Sequence, residues 1–167
     1  DIENLPELEK FMLSKIHSLN KKFENYFKKY DFHNLYKELL NFCTVDLSAF
    51  YFDIRKDALY CDPINSEKRK SCVTVLNILL KSLLRWFAPI LSFTTEEIYQ
   101  LISKNSKSIH LEKFLKFPEK FKNDKLAEKW SQLMKIRDIC NISIEEQRAS
   151  KEIGSSLEAD LNIQLNQ

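Results

Sequence analysis

The chain of 167 residues contains a single glycine, Gly154, and this shortage constrains the fold more than any other feature. At the average usage of about 7%, a chain of this length carries roughly 12 glycines. Glycine adopts positive φ without strain, so phosphate-cradling loops and the tight turns of all-β folds depend on it. The sequence therefore excludes a Walker loop and a dinucleotide-binding fingerprint, and it favours an all-α fold.

Apolar residues recur at intervals of three and four along the first half of the chain, which is the period of amphipathic helices. The pattern predicts a long first helix over residues 5–30. Asp31 is a suitable N-cap for a second helix, which continues to about residue 51. Ser66 begins a third helix, and Pro89 ends or kinks it because proline cannot continue a helical hydrogen-bond ladder.

The second half of the chain is predicted to hold two more helices and a strand. Thr94 and Glu97 have the spacing of a capping box at the start of a short helix. Residues 104–123 form a crossing loop with a short extended piece at 109–111, and a long helix follows over 124–147. Its apolar residues, predicted to be buried on one side, are Leu126, Trp130, Leu133, Met134, Ile136, Cys140 and Ile144. The alternation of Leu161, Ile163 and Leu165 with polar residues is typical of a half-buried strand.

The composition places few limits on partners. Lys and Arg total 26 against 24 Asp and Glu, a formal net charge of +2, so a basic surface requires the charges to be segregated in space. The four cysteines have neither the Cys-x-x-Cys spacing nor the Cys/His pattern of a zinc site, and we interpret them as reduced thiols of a cytosolic protein. Apolar runs are interrupted well short of the roughly 18 residues of a membrane span.

No arrangement of side chains points to catalysis. His17, His33 and His110 are far apart in sequence and none accompanies a nucleophile in a catalytic pattern. Asp46, Asp53 and Asp57 recur at intervals of seven and four residues on helical segments, a spacing open to acid/base chemistry or metal binding but more often explained by caps and ion pairs.

Basic residues interleaved with aromatic residues are the better functional signal. Three such stretches occur, at residues 22–30, 51–60 and 68–70, and each allows cations to meet phosphates while rings stack on bases. Taken alone, each stretch is better explained by a solvated lysine face. Trp86 lies near the apolar stripe of the third helix, which favours a place in the core over a base-stacking role.

Four stretches, in order, resemble one family. They are YDFHNLYKELLNFCTVDLSAFYFDIRKDALYCD at 30–62, SEKRKSCVTVLNILLKSLLRWFAPILSFTTEEIYQ at 66–100, IHLEKF at 109–114 and IGSSLEA at 153–159. They resemble the helical anticodon-binding domain of bacterial-type isoleucyl-tRNA synthetases, a class Ia family. The run DLSAFYFDIRKDALY favours this family over the valyl and leucyl relatives that share the bundle. Tyr99, Ser92 and the lysine-rich loop after Ser103 depart from the family pattern.

The resemblance implies a helix bundle over residues 1–150, followed at 151–167 by the start of an α/β junction. It implies a role in binding the anticodon stem and loop of isoleucine tRNA, in a monomeric cytoplasmic enzyme that uses ATP and Mg²⁺. The sequence lacks the HIGH and KMSKS signatures, the editing insertion and the cysteine-rich segment that holds structural Zn²⁺ in many members. The chain alone is therefore expected to be catalytically inert and to hold no cofactor.

Seven residues are the candidates for tRNA contact under this interpretation. The predicted phosphate contacts are Arg55, Lys56, Arg69, Lys70 and Arg137, and the predicted stacking residues are Tyr51 and Trp86. Two other functions stay open at this point. One is a helical domain that binds a protein partner or supports neighbouring domains through an exposed apolar face, and the other is a free-standing enzyme.

Overall fold

The computed structural model describes residues 2–103 and 107–164. Helices account for all the regular structure of these residues. The α-helices are α1 Glu7–Lys28, α2 Phe32–Asn41, α3 Asp53–Tyr60, α4 Glu67–Phe87, α5 Ser92–Ile102 and α6 Asp124–Ala149, with a π-helix Phe42–Phe52 between α2 and α3. Short 3-10 helices lie at Ile2–Asn4, Ile109–Leu111, Glu119–Phe121 and Ser156–Glu158. The predicted all-α class is confirmed.

Two helix starts follow the capping residues that the sequence predicts. The Asp31 carboxylate accepts a hydrogen bond from the Asn34 amide at 3.2 Å, and the Ser66 hydroxyl accepts one from the Arg69 amide at 3.4 Å. Each satisfies one of the free N–H groups in the first turn of its helix. Between α1 and α2 the chain reverses at Tyr30, whose φ of 55° places it in the left-handed region.

The segment from α2 to α3 is one continuous helical rod whose middle is wound as a π-helix. Eleven residues, Phe42–Phe52, adopt this i→i+5 winding, which is rare and usually confined to a single turn. A π-helix turns through a smaller angle per residue than an α-helix, so the face presented to the core changes along the rod. Residues that an α-helical pattern places outside are turned inward beyond the π-helix.

The chain forms two compact units, residues 1–123 and 124–167, and each is described here by itself. In the first unit, α1 packs against α2 and α4, while α4 also packs against α3 and α5. Trp86 of α4 lies at the centre, with ring centroids 4.9 Å from Phe23 and 6.1 Å from Phe42. Other fully buried core side chains come from α1, α2, the π-helix and α4: Met12, Leu13, Ile16, Leu35, Leu39, Leu47, Tyr51 and Leu79.

The second unit consists of α6 and the residues after it. Helix α6 has no buried residue, so the predicted burial of one apolar side is wrong. Leu133 is exposed, and Leu126, Trp130, Met134, Ile136, Cys140 and Ile144 are half-buried. The described part of this unit holds only one further short helix, Ser156–Glu158, which is not long enough to cover a 26-residue helix. The predicted domain boundary at residue 150 stays a prediction.

Two local predictions are corrected by the hydrogen bonds at helix starts. Helix α5 begins at Ser92, because the Thr95 amide donates to the Leu91 carbonyl at 2.9 Å, so Thr94 lies inside the helix and forms no capping box. Residues Ile109–Leu111 form a 3-10 helix rather than an extended piece. The Ser108 hydroxyl caps this helix by accepting a hydrogen bond from the His110 amide at 3.2 Å.

The predicted C-terminal strand is absent from the part of the chain that the structure describes. Leu161 and Ile163 lie in irregular, exposed backbone, and Leu165 lies outside the described residues. A single strand without a partner strand leaves its backbone groups unpaired, so it has no reason to form. Among the described helices, none combines the length and the apolar character that crossing a membrane requires.

Candidate nucleic-acid interface

A buried polar cluster joins four elements of the first unit and contains two of the predicted tRNA contacts. Arg55 of α3 donates from Nε and Nη2 to the two carboxylate oxygens of Glu9 on α1, at 2.6 and 2.7 Å. The Tyr51 hydroxyl lies 3.3 Å from Glu9 Oε1 and 3.6 Å from Cys72 Sγ on α4. Arg55 is 7% exposed, and Glu9, Tyr51 and Cys72 are fully buried. Arg55 and Tyr51 are therefore core residues here, turned inward by the π-helix that precedes α3.

Electrostatics in the cluster favour the ion pair. Burial acts to lower the pKa of Arg55, but the hydrogen bond and charge of Glu9 outweigh it and leave that pKa raised. Burial raises the pKa of Tyr51 well above its usual value, with the Cys72 contact adding to the effect. Burial likewise raises the pKa of Cys72. The cluster thus holds a charged pair beside a neutral phenol and a neutral thiol, which is a structural rather than a reactive arrangement.

Trp86 is also interior. Its indole is fully buried, and Nε1 donates to Asn20 Oδ1 of α1 at 3.0 Å. Neither face of the ring is open to a nucleobase. Trp86, like Tyr51 and Arg55, is therefore inaccessible to RNA.

Three of the predicted phosphate contacts in the first unit are accessible to different degrees. Lys56 is 59% exposed and pairs with Asp53 at 3.0 Å, and Lys70 is 55% exposed and pairs with Glu67 at 3.3 Å. Both are solvated pairs one helical turn apart, which phosphate groups can readily replace. Arg69 is half-buried, and its Nη1 donates to the Asp62 carbonyl at 2.7 Å, so its guanidinium already serves the turn before α4.

The fifth predicted phosphate contact, Arg137, lies on α6 in the second unit and is half-buried. Its contact with tRNA, like those of Lys56, Arg69 and Lys70, stays a prediction.

A cavity of about 380 Å³ brings Lys70 close to a lysine that the sequence analysis did not single out. The cavity lies between α1, α4 and the 3-10 helix Glu119–Phe121, and its wall includes Lys70, Thr74 and Lys120. Leu13, Ile78 and Phe121 form its apolar part. Lys70 and Lys120 therefore face one volume from two elements that are distant in sequence.

The lysine-rich stretch at residues 112–123, here called the crossing segment, is the main feature that sequence analysis missed. Both of its glutamates are bound to cations of the bundle. Glu112 accepts from Arg85 Nη2 at 2.6 Å and from the Tyr99 hydroxyl at 3.0 Å, and Glu119 accepts from Lys21 at 2.8 Å. These donors lower the pKa of both carboxyls, Tyr99 most strongly for Glu112 and Lys21 for Glu119.

The lysines of the crossing segment face solvent. Lys113, Lys116, Lys120 and Lys122 are exposed, while the phenylalanines between them are half-buried or buried. The ring of Phe114 packs edge-on against Phe27 of α1, with centroids 4.9 Å apart. The signal was present in the sequence as a Phe and Lys alternation. Without the partners of the two acids, however, the stretch has the composition of an ordinary polar loop.

The remaining candidates take structural roles. Asp46 forms an ion pair with Lys15 of α1, and the Asp53 carboxylate pairs with Lys56. His17 is buried, with Nε2 3.8 Å from Glu119 Oε1. Within the described ranges, 2–103 and 107–164, no three His, Cys, Asp or Glu side chains are grouped in a way that could hold a metal ion.

Comparison with known proteins gives the family. Residues 9–163 match the family model described as "Anticodon-binding domain of tRNA ligase". The chain belongs to this family of anticodon-binding domains. The match spans the bundle, the crossing segment and α6, and it confirms the resemblance that the four ordered motifs indicate.

The relatives of this anticodon-binding domain are much longer proteins. The chain is 71% identical to the isoleucine–tRNA ligase of Pelagibacter ubique, over 99% of the chain and 18% of that ligase. It is 43% identical to the isoleucine–tRNA ligases of Agrobacterium fabrum and Bartonella quintana, over 93% of the chain and 16% of each ligase. The chain therefore spans less than a fifth of these relatives.

Proposed function

We propose that the chain is the part of an isoleucine–tRNA ligase that binds the anticodon stem and loop of isoleucine tRNA. The observation that carries the proposal is the family match over residues 9–163, together with 71% identity to a ligase of that name. The whole enzyme joins isoleucine to its tRNA in the cytoplasm, using ATP and Mg²⁺. This domain supplies RNA binding, acts as part of a monomer with the other domains of the ligase, and performs no chemical step itself.

The physical character of the first unit supports this role. Helices packed around Trp86, with no glycine in residues 2–103 and 107–123, form a stiff scaffold that holds surface cations in fixed positions. Phosphate contacts from lysines supply most of the affinity, and contacts to unstacked loop bases supply the discrimination. Lys56 and Lys70, which are exposed and only loosely paired, are suited to the first task.

A structural-support role within the ligase is the second candidate, and one observation favours it. The surface of α5 and the turn before it exposes large apolar side chains, among them Phe93, which is 92% exposed, and Leu101, which is 81% exposed. Exposed apolar groups in one region often mark contact with another protein surface. Under this alternative, the domain would hold neighbouring domains in place without contacting RNA.

A titration of the purified chain with isoleucine tRNA and with a non-cognate tRNA, at several salt concentrations, separates the two candidates. RNA binding predicts tighter binding of isoleucine tRNA and a linear fall of log affinity with log salt, whose slope counts the phosphates engaged. Equal, salt-sensitive binding of both tRNAs would assign discrimination to other parts of the ligase. Absence of binding at low salt would overturn the RNA-binding proposal and favour structural support.

A further inference from the structure

We infer that the crossing segment, residues 112–123, is a phosphate-binding ribbon that follows the RNA backbone, with Lys113, Lys116 and Lys120 as its contacts. The inference rests on the proposed function and assigns that function to a surface outside the predicted contact residues. It arises from the separation of charge across the segment, which is visible only in the folded chain.

Both acids of the crossing segment are paired with cations of the bundle. Glu112, with a side chain 30% exposed, pairs with Arg85, and Glu119, with a side chain 73% exposed, pairs at the surface with Lys21. Lys113, Lys116 and Lys120 are exposed, and no carboxylate lies within ion-pair distance of their ammonium groups in the part of the chain that the structure describes. The exposed surface of the segment therefore carries a surplus of positive charge, although its sequence also contains acids. Such a surface complements a polyanion.

The backbone of the crossing segment is held rigidly against the bundle. Asn20 Nδ2 of α1 donates to the Leu115 carbonyl at 2.9 Å, and Arg85 Nε of α4 donates to the Lys113 carbonyl at 2.8 Å. At the other end, the Asn123 amide donates to Ser14 Oγ at 3.1 Å. Asn20 also accepts from Trp86, so the segment is tied directly to the centre of the core. Backbone anchored at three points holds its lysines in place before RNA arrives, which lowers the entropy lost on binding.

The cations of the crossing segment lie close to those at the start of α4. Lys120 and Lys70 line the same cavity of about 380 Å³, and Lys70 follows Lys68 and Arg69 in sequence. Cations of the crossing segment and of α4 therefore border one recess. Glu67 also lines the recess, but it is 90% exposed and already paired with Lys70. The apolar wall formed by Leu13, Ile78 and Phe121 gives a nucleotide sugar or base a surface to rest on when phosphates bind at the rim.

The test compares two triple variants of the chain that remove the same charge. One is Lys113→Ala, Lys116→Ala, Lys120→Ala, and the control is Lys37→Ala, Lys135→Ala, Lys151→Ala, at exposed lysines outside the crossing segment. Affinity for isoleucine tRNA is measured over a salt series, and circular dichroism confirms that both variants are folded. The ribbon predicts that the first variant loses at least about 10-fold in affinity at low salt and that its log–log salt slope falls by about 2 to 3.

The control variant is expected to keep a slope within about 1 of the parent chain. Equal losses in the two triple variants would overturn the ribbon while leaving RNA binding intact, because generic charge would then explain both. Failure of the unsubstituted chain to bind any tRNA would overturn the proposed function, and the ribbon with it.

A single variant, Thr74→Phe, which narrows the cavity without changing charge, reports separately on the recess. Reduced affinity for isoleucine tRNA with an unchanged salt slope supports the binding of a nucleotide in the recess.

Discussion

Arg55 and Glu9 form a two-pronged ion pair in the interior of the first unit, with N–O distances of 2.6 and 2.7 Å. The pair joins α3 to α1 across the end of the π-helix. Because the two side chains are almost wholly shielded from water, each relies on the other to balance its charge. The family-like motif that contains Arg55 therefore supplies a buried link between α3 and α1.

Replacing one member of this pair should be strongly destabilising. Glu9→Gln keeps the shape of the side chain but leaves the Arg55 charge without a counter-ion, at an expected cost of about 3 to 5 kcal/mol in the free energy of unfolding. Urea denaturation measures the loss. Lys56→Ala, which removes the exposed pair with Asp53, is the matched control and should leave the urea denaturation midpoint almost unchanged. Similar costs for the two variants would contradict the structural role of Glu9.

Trp86→Phe tests whether the indole serves the core or the RNA. The change removes the indole N–H that donates a hydrogen bond to Asn20 Oδ1 and leaves that buried oxygen unsatisfied. We therefore expect a loss of about 1 to 3 kcal/mol in the free energy of unfolding. Affinity for tRNA should be unchanged at temperatures where the variant is folded. Phe93→Leu, at a ring 92% exposed, is the control and should change stability by no more than about 0.5 kcal/mol. A tenfold loss of tRNA affinity in folded Trp86→Phe would show that the indole contacts RNA.

Acid should weaken the attachment of the crossing segment. The donors Tyr99 and Arg85 hold the pKa of Glu112 below its ordinary value of about 4.3. At acid pH the folded state therefore binds fewer protons than the unfolded state. Stability from this contact is present above about pH 4.3 and is lost as the pH falls from there through the folded-state pKa. Glu112→Gln should show a shallower dependence of stability on pH over that acid range.

Alkali should leave Tyr51 protonated until the domain unfolds. Its pKa is raised by burial, so the folded state keeps a proton that the unfolded chain releases near about pH 10. Stability from this difference is complete below about pH 10 and is lost as the pH rises above it. In a spectrophotometric titration, Tyr51→Phe should match the tyrosinate signal of the folded parent and lack one tyrosinate only after unfolding. An earlier difference would place the hydroxyl in contact with solvent.

Sequence reasoning succeeded where the structural signal is local. Asp31 and Ser66 cap their helices because each side chain accepts a hydrogen bond from the backbone amide three residues ahead. The helical period of α1 and α4 reflects a single buried face. The family was identifiable for a similar reason, since its motifs are continuous stretches of chain.

Sequence reasoning failed where winding or distant partners decide the outcome. Tyr51 and Arg55 were predicted to contact tRNA from a stretch that mixes aromatic and basic residues, whereas the π-helix Phe42–Phe52 rotates them into the core. In the crossing segment the sequence showed only an alternation of Phe and Lys, because the roles of Glu112 and Glu119 depend on Arg85 and Lys21, 27 and 98 residues away. Pairings at such separations are set by the tertiary fold and have no trace in local spacing.

Because the acids of the crossing segment are paired with cations of the bundle, the formal charge of the molecule is a poor guide to its migration and adsorption. Electrophoretic mobility responds to the total of +2, whereas adsorption to a phosphate-bearing resin responds to the one side on which lysines are gathered. A chain that migrates almost like a neutral protein should therefore be retained on phosphocellulose as if it were distinctly basic.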